Sequence, residues 1–124
     1  MTKKNIPSKE EFAKAKDAMR EKFGNTDSIR EKILADFSES NLREYFILYS
    51  PVSEIFGVYI FYDIETQIEE GKRSGLNVAI EKATITELSN QNNKFQKSKG
   101  CEFIYDSREN IDKNYHGSYY LRLR

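Results

Sequence analysis

The chain has a single cysteine, a single histidine, two prolines and no tryptophan. One thiol excludes an internal disulfide, so nothing points to an oxidising compartment. One imidazole excludes metal sites built on several histidines, and one cysteine cannot make a structural zinc centre. Charge of one sign is also missing: twenty Lys and Arg balance twenty Asp and Glu. A dedicated duplex binder carries a clear basic excess, because its affinity comes largely from neutralising phosphates. A mimic of DNA would carry an acidic one. The longest apolar run, Ile55 to Tyr62, is far too short to cross a bilayer as a helix. The N-terminal stretch MTKKNIPSKEEFAKAK has no apolar core of a secretory signal. These absences lead us to expect a cytoplasmic protein without membrane association.

What the chain does have is aromatic residues and amphipathic patterning. Its 124 residues are 38% hydrophobic and 32% charged, which places it among globular proteins of one domain spanning residues 1–124, with residues 1–7 expected to be flexible. Seven of the Phe and Tyr side chains fall between Arg43 and Asp63. There Tyr45 to Tyr49 and Ile55 to Tyr62 read as two strands joined by a turn holding Pro51. Both are apolar on both faces, so the pair is expected to lie mid-sheet. Gly57 inside the second strand signals a bulge or a close approach by another backbone.

Two helices are expected before this hairpin. The first covers about Lys9 to Phe23, with a Ser8–Glu11 capping box and Phe12, Ala15, Met19 and Phe23 on one face. The second is capped by Asp27 or Ser28, carries Ile29, Ile33, Leu34 and Phe37, and is broken by Ser38 to Asn41. A short link makes them an antiparallel helical hairpin. Residues 64–84 fit a helix and a strand equally well. Thr84 with Glu87 reads as a capping box opening a helix from about Ile85 to Gln96. Beyond Gly100, Cys101 to Tyr105 reads as a strand, 106–117 as a polar loop, and Tyr119 to Arg124 as a last strand with alternating faces. The expected architecture is therefore α+β: an N-terminal helical hairpin on a mainly antiparallel sheet of four to five strands, with one further helix before a C-terminal hairpin.

No cofactor motif stands out. Gly71-Lys-Arg-Ser-Gly75 lacks the preceding Gly and the Lys-Ser/Thr step of a phosphate loop, and reads as a solvated turn. The charge clusters Asp63, Glu65, Glu69, Glu70 and Lys94, Lys97, Lys99 read as solvated faces. Cys101 reads as a small buried thiol. The tail offers more. As an imidazole, His116 suits general acid or base work, while Arg108 and Arg122 suit stabilisation of a developing phosphoryl charge. On His116 and a terminal basic strand, residues 101–124 resemble the barnase-type microbial ribonucleases. That resemblance implies metal-independent RNA cleavage with His116, Arg108 and Arg122 as the site. Gly117 stands where that family tends to have Tyr, and Glu65 and Glu102 are both candidates for the base.

The same tail supports a surface reading. Tyr and Arg dominate the energetic centres of protein interfaces, and Tyr115, Tyr119, Tyr120, Arg122 and Arg124 would supply such a surface on an edge strand. The leading expectation is a small binding protein that docks on a protein partner and inhibits it, in the manner of an immunity protein or a phage counter-defence factor. The ribonuclease is the alternative, and nucleic-acid binding through Lys94–Lys99 and the tail arginines ranks below both.

Overall fold

The computed structural model describes residues 9–11, 13, 14, 26–91 and 95–124. Residues 9–11, 13 and 14 are helical. The rest of the expected 9–23 helix, residues 1–7 and the helical hairpin lie outside the described residues.

The first full helix, α1 (Thr26–Asp36), starts ahead of the expected cap at Asp27 or Ser28 and buries Thr26, Ile29 and Ile33. It ends where Ser40 closes a turn, its hydroxyl donating to the Phe37 carbonyl at 2.7 Å. The hairpin follows as expected: β1 (Leu42–Ser50) and β2 (Ile55–Tyr62) pair antiparallel, with Ile47 opposite Val58 and Leu48 opposite Gly57. The bulge lies between Leu42 and Glu44 rather than at Gly57.

The segment that fitted helix and strand equally is helical throughout. Two helices, α2 (Thr66–Ser74) and α3 (Leu76–Gln91), meet at Gly75, whose φ of 88° ends α2 in the left-handed region. Gly71 is thus a buried helical residue and not part of a turn. The expected helix start at Ile85 is also corrected. Asn77, Ile80, Thr84 and Leu88 form one continuous buried stripe on α3, and no Gly or Pro interrupts it. Thr84 caps nothing: its hydroxyl bonds the Ile80 carbonyl at 2.8 Å and pairs with the Tyr45 hydroxyl at 2.7 Å.

The third strand, β3 (Cys101–Ser107), pairs with β2 in parallel, Val58 lying beside Phe103. The sheet is three-stranded and mixed, in the order β1-β2-β3. It is not the four- to five-stranded antiparallel sheet expected from the sequence. The long connection 63–100, filled by α2 and α3, carries the chain back to the same end of the sheet, which makes β3 parallel. Only β2 lies mid-sheet; β1 is an edge strand.

The expected C-terminal hairpin does not form. The 106–117 stretch contains α4 (Arg108–Asn114), capped by the Ser107 side chain accepting from the Asn110 amide at 3.0 Å. The expected last strand is α5 (Tyr119–Leu123), capped by Ser118. A serine cap satisfies amides that an unpaired strand would leave exposed, and this favours short helices at both places.

Two apolar clusters sandwich the sheet. On the front face Tyr45, Ile47, Phe56, Val58, Ile60 and Tyr62 pack with Ile29 and Ile33 of α1 and Ile80 and Leu88 of α3. On the back face Phe61 packs with Ile111 of α4 and Leu123 of α5, joined by Phe46, Leu48, Tyr59, Tyr115 and Tyr119.

Candidate functional site

The back of the sheet is where the tail residues gather, and one carboxylate holds them there. Asp106, at the end of β3, is 6% exposed. It accepts the Arg122 Nε at 2.6 Å and the Asn110 Nδ2 at 2.9 and 3.1 Å. The Arg122 guanidinium also lies 5.8 Å from the Tyr59 ring and 5.9 Å from the Tyr115 ring. A charged pair with this little solvent is strongly coupled to its surroundings. Arg122 therefore acts as a pin that fixes α5 to the sheet.

Tyr119 is drawn inward rather than outward. Its ring sits 4.9 Å from Phe61 and 5.6 Å from Phe46, edge-on and tilted. Arg108 covers it from outside, 5.1 Å above the ring, while its Nη2 pairs with Asp112 at 2.9 Å. Tyr115 ends α4, its amide donating to the Ile111 carbonyl at 3.0 Å. Tyr120 is half-buried and Arg124 exposed.

His116 follows in the turn with φ of 54°, a left-handed conformation. It is exposed, and no hydrogen bond or ion pair links its imidazole to Arg108, Arg122 or any other described residue. Arg108 approaches the adjacent backbone instead, its Nη2 lying 3.3 Å from where a Cβ on Gly117 would stand. The two possible bases are elsewhere or engaged. Glu65 accepts the Ser107 hydroxyl at 2.6 Å, and Glu102 projects from the exposed back of β3. Cys101 opens β3, at the far end of that strand from α4. Burial pushes its thiol up to about 11, which leaves little thiolate at neutral pH.

Two concave regions border this arrangement. A polar one of about 380 Å³ is lined by Glu65, Glu109, Asn110, Lys113 and Asn114. Most of its side chains are already paired: Glu109 accepts the Glu65 amide at 2.9 Å, and Asn114 donates to Asn110 at 2.6 Å. The other is a groove of about 240 Å³ along the half of the back face that α4 and α5 leave open. Leu48, Ile55, Tyr59, Ile104 and Leu123 line it, with Glu102 on its rim. Its floor is Gly57, where a Cβ would stand 3.3 Å from Tyr59 Cε1. The close approach expected at this glycine is made by a neighbouring side chain rather than a backbone. Beside the groove, at the hairpin tip, Val52 is 95% exposed.

The structure brings Tyr115 and Arg122 together around Tyr59 and tucks Tyr119 under Arg108, while His116 stands apart from both arginines. The groove residues Leu48, Tyr59 and Ile104 were missed as surface candidates. The available signal was a strand pair apolar on both faces with a glycine on one of them. Among the described residues, no three His, Cys, Asp or Glu side chains converge as metal ligands would. Nor is any described helix long and apolar enough to cross a membrane. Comparison with protein-family models, with curated proteins and with solved structures finds no match.

Proposed function

We propose that this chain is a small binding protein that docks on another protein through the open half of its sheet and inhibits it by occupancy. The observation that supports this reading is the groove lined by Leu48, Ile55, Tyr59, Ile104 and Leu123 among polar neighbours, with no described element laid over it, beside the solvent-exposed Val52. Water against such a surface is released when a partner covers it, and that release drives association. The polar surround suits the same role. Arg122 and Tyr115 flank Tyr59 in a fixed geometry, so little side-chain freedom is lost on docking. Glu102 on the rim favours a partner carrying a basic residue beside its apolar anchor. Inhibition of a toxin or a defence enzyme is the activity that fits a docking module without a catalytic set.

A ribonuclease centred on His116 draws less support. Arg122 is committed to Asp106, Arg108 to Asp112 and Tyr119, and the terminal strand on which that resemblance rested is a helix.

The test is capture of a stoichiometric protein from host lysate by the wild-type chain, repeated with two charge insertions. Ile104→Glu places a carboxylate in the groove and is expected to abolish capture. Val78→Glu, on the exposed side of α3, is expected to leave it unchanged. Equal capture by all three chains would refute the groove as the docking surface.

A further inference from the structure

The two edges of the sheet are treated differently, and the difference points to a second copy of this chain. On β1 the outward backbone groups are covered. The Tyr45 carbonyl accepts Arg30 Nε at 2.9 Å, the Tyr45 amide donates to Glu44 at 3.0 Å, and Ile47 is only 4% exposed. On β3 no described residue gives such cover. The Phe56 amide donates to the Gly100 carbonyl at 2.9 Å, and Phe56 lies opposite Cys101. This sets the phase of the parallel ladder: Glu102, Ile104 and Asp106 bond to β2, while Cys101, Phe103 and Tyr105 turn their N–H and C=O groups outward. None of these three residues has a backbone hydrogen bond at that edge, and all three are partly exposed. The strand carries no Pro, no Lys and no outward bulge, the usual devices that keep an edge from pairing.

We propose that β3 pairs with β3 of a second copy across a two-fold axis, joining the two sheets into one. A two-fold axis perpendicular to the sheet makes the new pairing antiparallel and self-complementary. Charge selects the register. With Phe103 opposite Phe103 of the second copy, Cys101 faces Tyr105 and Glu102 faces Ile104, so no like charges meet. Slipping by one pairing step either way sets Glu102 against Glu102, or Glu102 against Asp106, and both arrangements are penalised. In the favoured register each outward N–H meets an outward C=O. The chain's net charge of zero adds no general repulsion between copies. The back-face grooves then lie side by side on one surface. This pairing uses the backbone edge and stands or falls independently of the docking function proposed above.

Sedimentation velocity and residue-resolved amide exchange on the wild-type chain test it. The interface is small, so concentrations from about 10 μM to about 1 mM cover the range in which it should form. The expected result is a monomer–dimer shift in which the Phe103 and Tyr105 amides slow about ten-fold with concentration. The Ile104 amide, already bonded to β2, should be protected throughout. Reductant should not dissolve the dimer, because the chosen register keeps the two Cys101 thiols apart. Phe103→Lys sets two ammonium groups face to face and should hold the chain monomeric; if that variant does not fold, the wild-type exchange pattern alone decides. A monomer with fast Phe103 and Tyr105 exchange at every concentration overturns the proposal. So does a dimer whose formation leaves those two amides unprotected, or one that reductant abolishes.

Discussion

Replacing Gly71 by Ala sets two effects of opposite sign against each other, and the structure decides between them. Gly71 lies inside α2, where alanine ordinarily stabilises a helix by about 1 kcal/mol over glycine. Here a Cβ would stand 2.3 Å from Asn77 Oδ1 and 3.0 Å from the Tyr62 hydroxyl. Neither neighbour can move freely. Asn77 is 8% exposed and Tyr62 fully buried; the Tyr62 hydroxyl donates to Asn77 Oδ1, and Asn77 Nδ2 donates to the Ile68 carbonyl at 3.2 Å. Relieving the overlap means swinging the Asn77 amide away and leaving the buried Tyr62 hydroxyl unpaired, a loss of about 1–3 kcal/mol. Residual overpacking adds about 1 kcal/mol or more. Set against the helical gain, Gly71→Ala should destabilise the chain by about 1–3 kcal/mol. Urea denaturation at 25 °C should show a lower midpoint with an unchanged slope. The sign should reverse when the obstacle is removed: in an Asn77→Ala background, Gly71→Ala should be neutral or stabilising, and the cycle isolates that coupling. A stabilised Gly71→Ala single variant would refute the reasoning.

The Asp106 clamp gives a second measurement. Asp106→Ala leaves the Arg122 charge and Asn110 without their acceptor, so urea denaturation should show a loss of about 2–4 kcal/mol. A loss below about 0.5 kcal/mol would mean that α5 is held by apolar packing alone. Alkaline pH gives a third. Burial pushes the Tyr62 hydroxyl up to about 12, with the Glu81 carboxylate adding to the rise, and burial raises Tyr45 as well. Because the folded chain favours the neutral phenols, their contribution is intact below the ordinary tyrosine value near 10. It is lost as pH climbs through the raised value of Tyr62. Stability measured by urea midpoint should stay flat to about pH 9.5 and fall between about 10 and 12. Tyr62→Phe should flatten part of that slope, and a constant midpoint up to pH 12 would contradict the assignment.

How much of this was legible depended on element length and on what each pattern competed with. The β1–β2 hairpin was plain because aromatic residues crowd two runs separated by Pro51 and serines. The front stripe of α1 was plain because Ile29 and Ile33 stand one turn apart and Leu34 and Phe37 continue the apolar pattern. The 64–84 segment was not, because Leu76, Val78 and Ile80 alternate as a strand does. The deciding stripe, Asn77–Ile80–Thr84–Leu88, includes two polar residues whose burial depends on partners distant in the chain: Tyr62 for Asn77 and Tyr45 for Thr84. No periodicity of apolar residues shows that. The parallel direction of β3 was open to inference from topology alone, since a long helical connection between two strands of one sheet favours a parallel return.

The misread tail changed the site more than it changed the fold. In a strand, Tyr119, Leu121 and Leu123 would share one face, and Tyr120, Arg122 and Arg124 would stand outward as a ready surface. In α5, Tyr119 and Leu123 lie one turn apart and both face the sheet, where Tyr119 meets Phe46 and Phe61. Arg122 turns back to Asp106 and loses the freedom an interface arginine would need to find a partner. Five residues are too few for a helical period to be told from alternation, so the local signal lay in the caps: Ser107 before Asn110, and Ser118 before Leu121. Reading those caps removes the C-terminal hairpin and withdraws the surface assigned to it. What it brings forward is the groove on the back of β2 and β3 around Gly57, where Tyr59 and Ile104 stand beside Leu123 of α5. A surface built on a rigid sheet, with its arginine already pinned, presents a fixed shape to a partner, and fixed shape rather than the number of exposed aromatic residues makes that face the one to probe first.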